Sequence, residues 1–550
     1  MALTHVNAVV VGAGAGGGVV AKELSEAGLS VVVIERGGWV SFETYGQDEL
    51  INQRTTALGN AYGPDERNPR VAEDGGRWIT VSPNDYRYGN NAACVGSGTV
   101  SYGALAWRYM ERDFRMRTTY GAPEGSTLED WPISYGDLEP YYEKAEWEIG
   151  VSGDMSTNPF TPPRRRPYPM PPFPLNREGL ILDAAANRLG FHPFPIPMLR
   201  NSVPYGGRGA CIHNRNCIGY ACPNNAKNGT QNTVIPKALA TGNCELRTHS
   251  IVSEVVVDDR GLARGVRYFD ASDRAQYQTA DLVVLSGGAI ETARLLLNSK
   301  SRLFPSGAGN THDWVGRNLQ GHAYSGATGQ FDEEVYDDVG PGASVAICDF
   351  SHGNAGLRGG SVICNQFFHP PYAFSGEHAP GEPRWGKAHK DYQRRYFKRT
   401  VAVHGSVQEM PVFDLRVQVD PRVRDYWGIP VARLSGHRHP HDVEVGRFIA
   451  GKADQWLKEA GAVRTWTSIP EMVSASRGGQ HQAGTCRMGA DPRTSVTNRS
   501  GQVHDIDNLF IADGSLHVNN GGFNPALTIM ALGFWVGSGI VEGWKAGKFR

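Results

Sequence analysis

The segment NAVVVGAGAGGGVVAKELSEAGLSVVVIER, residues 7 to 36, restricts the possible folds more than any other part of the chain. An apolar, β-branched run reads as a buried strand, and Gly12, Gly14 and Gly17 follow it as G-x-G-x-x-G at the start of a helical pattern. A second strand then closes on Glu35. In this β-α-β setting the glycines permit a tight turn, close approach of a pyrophosphate and close helix packing, while the helix start offers N–H donors to the anion. Glu35 is placed to hold a ribose hydroxyl pair and disfavours a 2′-phosphate; Arg36, next in the chain, joins the same candidate site.

Further small-residue turns argue for a cofactor larger than an exchangeable nicotinamide. VVLSGGAIETARLLL puts Ser286 and Gly287 at another strand-to-helix turn, and AACVGSGTVSYGALAW supplies Gly96, Gly98 and Thr99. Val252 in a strand-like run and Asp513 and Gly514 in IADGS complete the candidate cofactor set on the N-terminal side of the last helix. Loops of this kind scattered along a chain predict a buried FAD. At 550 residues there is room for two domains and such a cofactor.

The remaining pattern predicts an α/β protein with a Rossmann-like FAD-binding domain and an inserted substrate domain of sheet plus helices. Residues 1–319 and 480–550 form mainly the first domain, with long cofactor-covering loops at 40–90 and 155–210, and residues 320–479 mainly the second. With 55 Lys+Arg against 56 Asp+Glu there is no electrostatic reason to expect nucleic acid or an anionic membrane surface. The apolar PALTIMALGFWVGSGIVEGW carries glycines and a Glu and suits a buried helix, so no membrane partner is expected. Eight cysteines are sparse for this length, which predicts no disulfide framework and a cytoplasmic location.

GGQHQAGTCRMG places His481 just before a Gly-Thr turn, where it is either a core histidine or a proton acceptor. Further on, Asn524 and Pro525 read as N-cap and first turn of the last helix, which also carries Thr528. A helix N-terminus there favours the negative charge that gathers on a reduced flavin. Oxidising an alcohol by hydride departure needs a base poised near neutral pH, and histidine qualifies.

Four stretches, HQAGTCRMG, DGSLHVNNGGFNPALTIMALG, DWPISYGDLEPYYEKAEWEIGVSG and VGRNLQGH, together make the chain resemble the glucose-methanol-choline (GMC) family of FAD oxidoreductases. Within that family it is more similar to the branch of pyranose oxidases, bacterial glycoside 3-oxidases and gluconate 2-dehydrogenase-like enzymes. The resemblance implies the GMC fold, His481 as catalytic base and Asn524 as its partner. It implies oxidation of a secondary hydroxyl of a pyranose or glycoside, at carbon 2 or 3, by hydride transfer to flavin N5. Oxygen is the expected acceptor, giving hydrogen peroxide; the alternatives are a dehydrogenase using a quinone or cytochrome, and a non-redox lyase on the same fold.

Where some pyranose oxidases link the flavin through a histidine, this chain reads Val100-Ser101-Tyr102, so FAD is expected to be non-covalent. Cys211, Cys217 and Cys222 resemble a segment that holds an iron-sulfur cluster in some relatives, but their spacing differs from ferredoxin-type runs, and no metal is expected. The same holds for His437, His439 and His441, which read as a polar turn. Gln408 and Glu409, in the inserted domain, are the expected contacts to sugar hydroxyls.

Overall fold

The computed structural model describes residues 4–51, 62–64, 66–83, 85, 92–366, 369–471 and 480–549. Parts of the expected cofactor-covering loop at 40–90, and residues 472–479 at the expected domain boundary, therefore lie outside the described residues.

The predicted β-α-β unit forms as strand His5–Val11, helix Ala15–Glu26 and strand Val31–Ile34. The two strands pair in parallel, and His5–Val11 pairs on its other side with Ala275–Leu285. Cys244–Arg247 extends the sheet beyond Val31–Ile34. The far edge of Ala275–Leu285 is shared: antiparallel Ala263–Phe269 takes its first half, and parallel Leu509–Ile511 takes residues 283–285. This is how the C-terminal part of the chain rejoins the N-terminal domain. Val9, Val10, Val32, Val283 and Val284 are fully buried in this sheet, as expected of parallel strands covered on both faces.

Helix Ala526–Lys545 packs on Ala15–Glu26 and on Tyr135–Ala145. It is apolar enough, by length and composition, to cross a membrane, yet Leu527, Met530, Ala531, Phe534 and Ile540 are buried inside the protein. Gly533 and Gly537 let the two helices approach, since a Cβ on Gly533 would come within 3.1 Å of the Gly16 carbonyl oxygen.

A second, six-stranded sheet runs Arg464–Ser468, Ala323–Gln330, Thr400–Val407, Ile363–Asn365, Val345–Ile347 and Phe194–Pro195. Helix Pro440–Glu459 lies on it and Arg177–Arg188 packs on that helix, burying Trp456, Ile449, Val403 and Leu182 in a separate core. Phe194–Pro195 and Arg177–Arg188 come from the stretch expected to cover the cofactor and instead build this second layer. A third sheet, Arg416–Arg424, Pro430–Ser435, Arg70–Asp74 and Arg77–Val81, joins the two expected domains. Residues 70–81 are thus a hairpin turning on Gly75 and Gly76, not loop; both glycines have positive φ, as a two-residue hairpin turn requires. The middle section is therefore not one insertion with one sheet.

Candidate active site

One cavity of about 310 Å³ is lined by Gly12, Gly14, Glu35, Arg36, Gly98, Thr99, Val252, Ser286, Gly287, Asp513, Gly514, His481, Asn524 and Pro525. Fourteen positions singled out along the whole sequence thus meet on one surface. Gly12 has φ +99°, and a Cβ there would sit 2.4 Å from the Ser286 carbonyl oxygen. Gly17 and Gly96 do not line the cavity but hold its walls: Gly17 would clash with the Gly12 oxygen at 2.0 Å, and Gly96 donates its N–H to Ala13 O at 2.9 Å. Thr528 is fully buried one turn into the last helix, sharing a 2.8 Å hydrogen bond with the Tyr142 hydroxyl away from the lining.

Glu35 accepts the Ala13 N–H at 2.8 Å and the Gly37 N–H at 2.9 Å, one on each oxygen. Burial pushes its pKa up and these backbone hydrogen bonds oppose the shift. Each oxygen keeps a second lone pair for a ligand hydroxyl. Asp513 accepts from Gly288 N, Thr292 Oγ1, Ser515 N and Ser515 Oγ at 2.5–2.9 Å, which ties the turn after Ala275–Leu285 to the C-terminal segment. Burial raises its pKa too.

Sequence reasoning missed a charged cluster on the same wall. Glu291 lies 3.1 Å from Arg70, 3.2 Å from Arg294 and 3.6 Å from Arg36, and the three guanidinium groups hold its carboxyl well below the usual range although burial opposes this. Arg294 also pairs with buried Asp425 at 2.7 Å. Arg70 comes from the hairpin and Asp425 from the turn between strands Arg416–Arg424 and Pro430–Ser435, so nothing in the linear sequence signals the cluster.

At the reaction-centre residues the structure brings together what the sequence proposed and adds three partners. Residues 320–322 run antiparallel to 480–483: Gln320 N donates to Ala483 O at 3.0 Å and Ala483 N to Gln320 O at 2.9 Å. This places His322 Nδ1 2.8 Å from His481 Nδ1. His481 is one of the few non-glycine residues with positive φ, +66°, and Asn520 Nδ2 donates to its carbonyl at 2.7 Å. Its Nε2 lies 3.4 Å from Asn524 Nδ2. Asn524 Oδ1 accepts the Trp107 indole N–H at 2.9 Å. The expected N-cap role of Asn524 is corrected here: Pro525 occupies the cap position without a side-chain bond, and the Asn524 amide spans Trp107 and His481 instead. Pro525 and Ala526 still bring the helix start to the cavity wall.

Gln408 and Glu409 do not line the cavity. Glu409 accepts the Gly321 N–H at 2.9 Å and pairs with Arg438 at 2.9 Å, and Gln408 Nε2 faces Asp113 and Asn519 at 3.4 Å. Glu409 braces the 320–322 segment from behind, Gln408 packs on Asp113 and Asn519, and their assignment as sugar contacts is withdrawn. His439 Nδ1 caps helix Pro440–Glu459, and His441 Nε2 accepts from Arg358 N at 3.0 Å, so these histidines order a turn. Among the described residues no group of three or more His, Cys, Asp or Glu is arranged to hold a metal. Cys211 accepts the His213 N–H at 3.4 Å and Cys222 faces Asn224 Oδ1 at 3.2 Å.

These residues fit a flavin dinucleotide: glycines whose Cβ atoms would fill the turn, a carboxylate for the ribose, and a histidine–asparagine pair on the same cavity. Comparison with known proteins agrees. Family models described as GMC oxidoreductase match residues 174–324 and 414–533. The chain is 31% identical to 2-methyl-1,2-propanediol dehydrogenase of Mycolicibacterium austroafricanum, over 97% of this chain and 94% of that one. It is 30% identical to the gluconate 2-dehydrogenase flavoprotein of Pantoea cypripedii (98% and 94% covered) and to 6'''-hydroxyparomomycin C oxidase of Streptomyces lividus (95% and 89% covered). Among solved structures, Aspergillus oryzae formate oxidase superposes with a TM-score of 0.64 at 15% identity, covering 100% of this chain and 99% of that one. Pyridoxine 4-oxidase from Mesorbium loti gives 0.62 at 16%, covering 97% and 98%. The nucleotide-binding turn, the histidine–asparagine pair and these matches lead to one conclusion: the chain is an FAD-binding enzyme and belongs to the GMC oxidoreductase family.

Proposed function

We propose that this enzyme oxidises a secondary hydroxyl of a pyranose or glycoside, at carbon 2 or carbon 3, to the keto-sugar, with oxygen as acceptor and hydrogen peroxide as product. The observation that carries the reading is the His481–Asn524 pair on the wall of the cofactor cavity. Bound FAD supplies the hydride acceptor. His481 Nε2, the ring nitrogen turned towards Asn524, takes the hydroxyl proton as the carbonyl forms, because Nδ1 is committed to His322. Asn524 orients the same hydroxyl through its amide N–H, its Oδ1 being held by Trp107. Glu35 holds the ribose, and Gly12, Gly14 and the start of helix Ala15–Glu26 cradle the pyrophosphate. FAD is bound without a covalent link: Ser101 is buried and does not line the cavity.

Relatives named for gluconate and hydroxyparomomycin support a polyhydroxylated substrate. A site built for several hydroxyls rejects analogues that lack one, so choline and small primary alcohols are poor substrates. The second reading, a dehydrogenase passing electrons to a quinone or cytochrome, is favoured by the dehydrogenase names among the relatives. All eight cysteines are free, which supports a reducing, cytoplasmic location.

A panel of glucose, xylose, gluconate, aryl O-glycosides, aryl C-glycosides and choline, followed both by peroxide formation and by dye reduction, tests substrate and acceptor together. Turnover on a pyranose or glycoside with peroxide is expected. Dye reduction without peroxide moves the enzyme to the dehydrogenase reading, choline as best substrate overturns the sugar assignment, and turnover of a cyanohydrin with FAD unreduced indicates the lyase.

A further inference from the structure

The polar groups around His481 form one chain, and both ends of it are chemically single-valued. At one end His322 Nε2 lies 2.7 Å from Asn520 O and 2.6 Å from Gly521 O. Carbonyl oxygens only accept, so His322 carries its proton on Nε2. Burial lowers the pKa of His322 and so favours the neutral ring, in which Nδ1 is an acceptor. The group facing that lone pair at 2.8 Å is His481 Nδ1, which must donate.

At the other end the Trp107 indole N–H can only donate, and it donates to Asn524 Oδ1. The Asn524 amide is thereby oriented with its NH₂ towards His481 Nε2, where a second N–H would meet it hydrogen to hydrogen. Reasoned from either end, His481 has the same tautomer: proton on Nδ1, lone pair on Nε2. The His322 ring is held by the paired segments 320–322 and 480–483, and its T-shaped contact with His481 has centroids 5.0 Å apart at 75°.

We propose that His322 is a positioning residue that fixes the tautomer of His481, locked for this purpose by the carbonyls of Asn520 and Gly521, with Trp107 anchoring the opposite end through Asn524. The lone pair then faces the cavity before substrate arrives, and the imidazolium formed on proton transfer keeps its Nδ1–H on His322. A substituted His322 leaves the long 3.4 Å Asn524 contact to hold the tautomer, too weak to keep the proton off Nε2 in every molecule, and the Nε2–H form cannot act as base there. The proposal rests on His481 being the base.

The test reads the tautomer itself. In holoenzyme labelled with 15N-histidine, with the His481 signals assigned by their loss in His481→Ala, the account expects Nδ1 protonated and Nε2 unprotonated in the oxidised resting state. The opposite tautomer overturns it, and this measurement on the unsubstituted protein needs no variant of His322 to fold. His322→Phe keeps the ring shape without nitrogens; it is expected to give mixed His481 tautomers and to slow flavin reduction at least about tenfold with little change in substrate affinity. His322→Asn, which offers an acceptor near the Nδ1 position, is expected to recover most of that rate. A single Nδ1–H tautomer and an unchanged rate in His322→Phe contradict the proposal, as does equal impairment of the Phe and Asn variants. If the tautomer is as stated but His481→Ala reduces its flavin at the normal rate, the base assignment fails and the tautomer assignment stands.

Discussion

Glu178 shows how one buried carboxyl can govern pH dependence far from the chemistry. It lies in the first turn of helix Arg177–Arg188, accepts Asn365 Nδ2 at 2.5 Å, and is buried between that helix and the second sheet. Burial raises its pKa to about 8. In the unfolded chain a glutamate titrates near 4.3, so between roughly pH 4 and 8 the folded state keeps a proton that the unfolded state loses, and stability falls as pH rises through that window. Glu178→Gln removes the titration. Its melting temperature is expected to exceed the parent's at pH 8, with the gap closing towards pH 4.5 in thermal unfolding; a pH-independent gap contradicts the raised pKa. At this scale the sequence was legible where a residue sits in a dense motif, as His481 and Asn524 do. It was not legible where the role depends on a partner brought in from afar: His322 stands 159 residues from His481, and only the pairing of segments 320–322 and 480–483 makes them neighbours. Gln408 and Glu409 misled for the same reason, since a polar pair at a strand end looks alike whether it faces a ligand or braces a neighbouring strand.

The glycine turn and its helix are the element on which cofactor binding depends, and two of its neighbours test different parts of it. A Cβ on Gly16 would lie 1.7 Å from the Ala512 carbonyl oxygen, so Gly16→Ala must push helix Ala15–Glu26 off the C-terminal segment. The expected cost is about 1–3 kcal/mol, the range for overpacking a core, read by chemical denaturation. Gly98 lines the cavity, and a Cβ there meets no protein atom within 4 Å. Gly98→Ala is therefore expected to leave the stability of the FAD-free protein unchanged and to weaken FAD binding; equal loss of stability in both variants contradicts the distinction. The β-α-β unit was legible because strand, turn and helix are consecutive and each has its own period. The hairpin at 70–81 was not, because its strands are short and half polar, and the strand that shelters them, Pro430–Ser435, lies far along the chain.

On the scale of the whole molecule the chain returns twice to its first sheet, in the run of strands from Cys244–Arg247 to Ala275–Leu285 and again at Leu509–Ile511, and this threading gathers nucleotide turn, histidine and asparagine on one cavity. The proposed absence of a covalent link predicts that FAD leaves on acid or heat denaturation; yellow colour remaining in the precipitate contradicts this. The return of the C-terminal part was legible from its strand-glycine-helix pattern. The sharing of sheets between the two expected domains was not, since no local signal states which distant strand completes an edge. The central claim is that His481 takes the proton of a sugar hydroxyl as hydride passes to the bound FAD. Anaerobic stopped-flow bleaching of the oxidised flavin by the best substrate of the panel, in the parent enzyme and in His481→Ala with equal FAD content, tests it most directly. The account predicts a reductive rate slower by at least about a hundredfold in the variant, the scale of losing a general base, and an unchanged rate would contradict it.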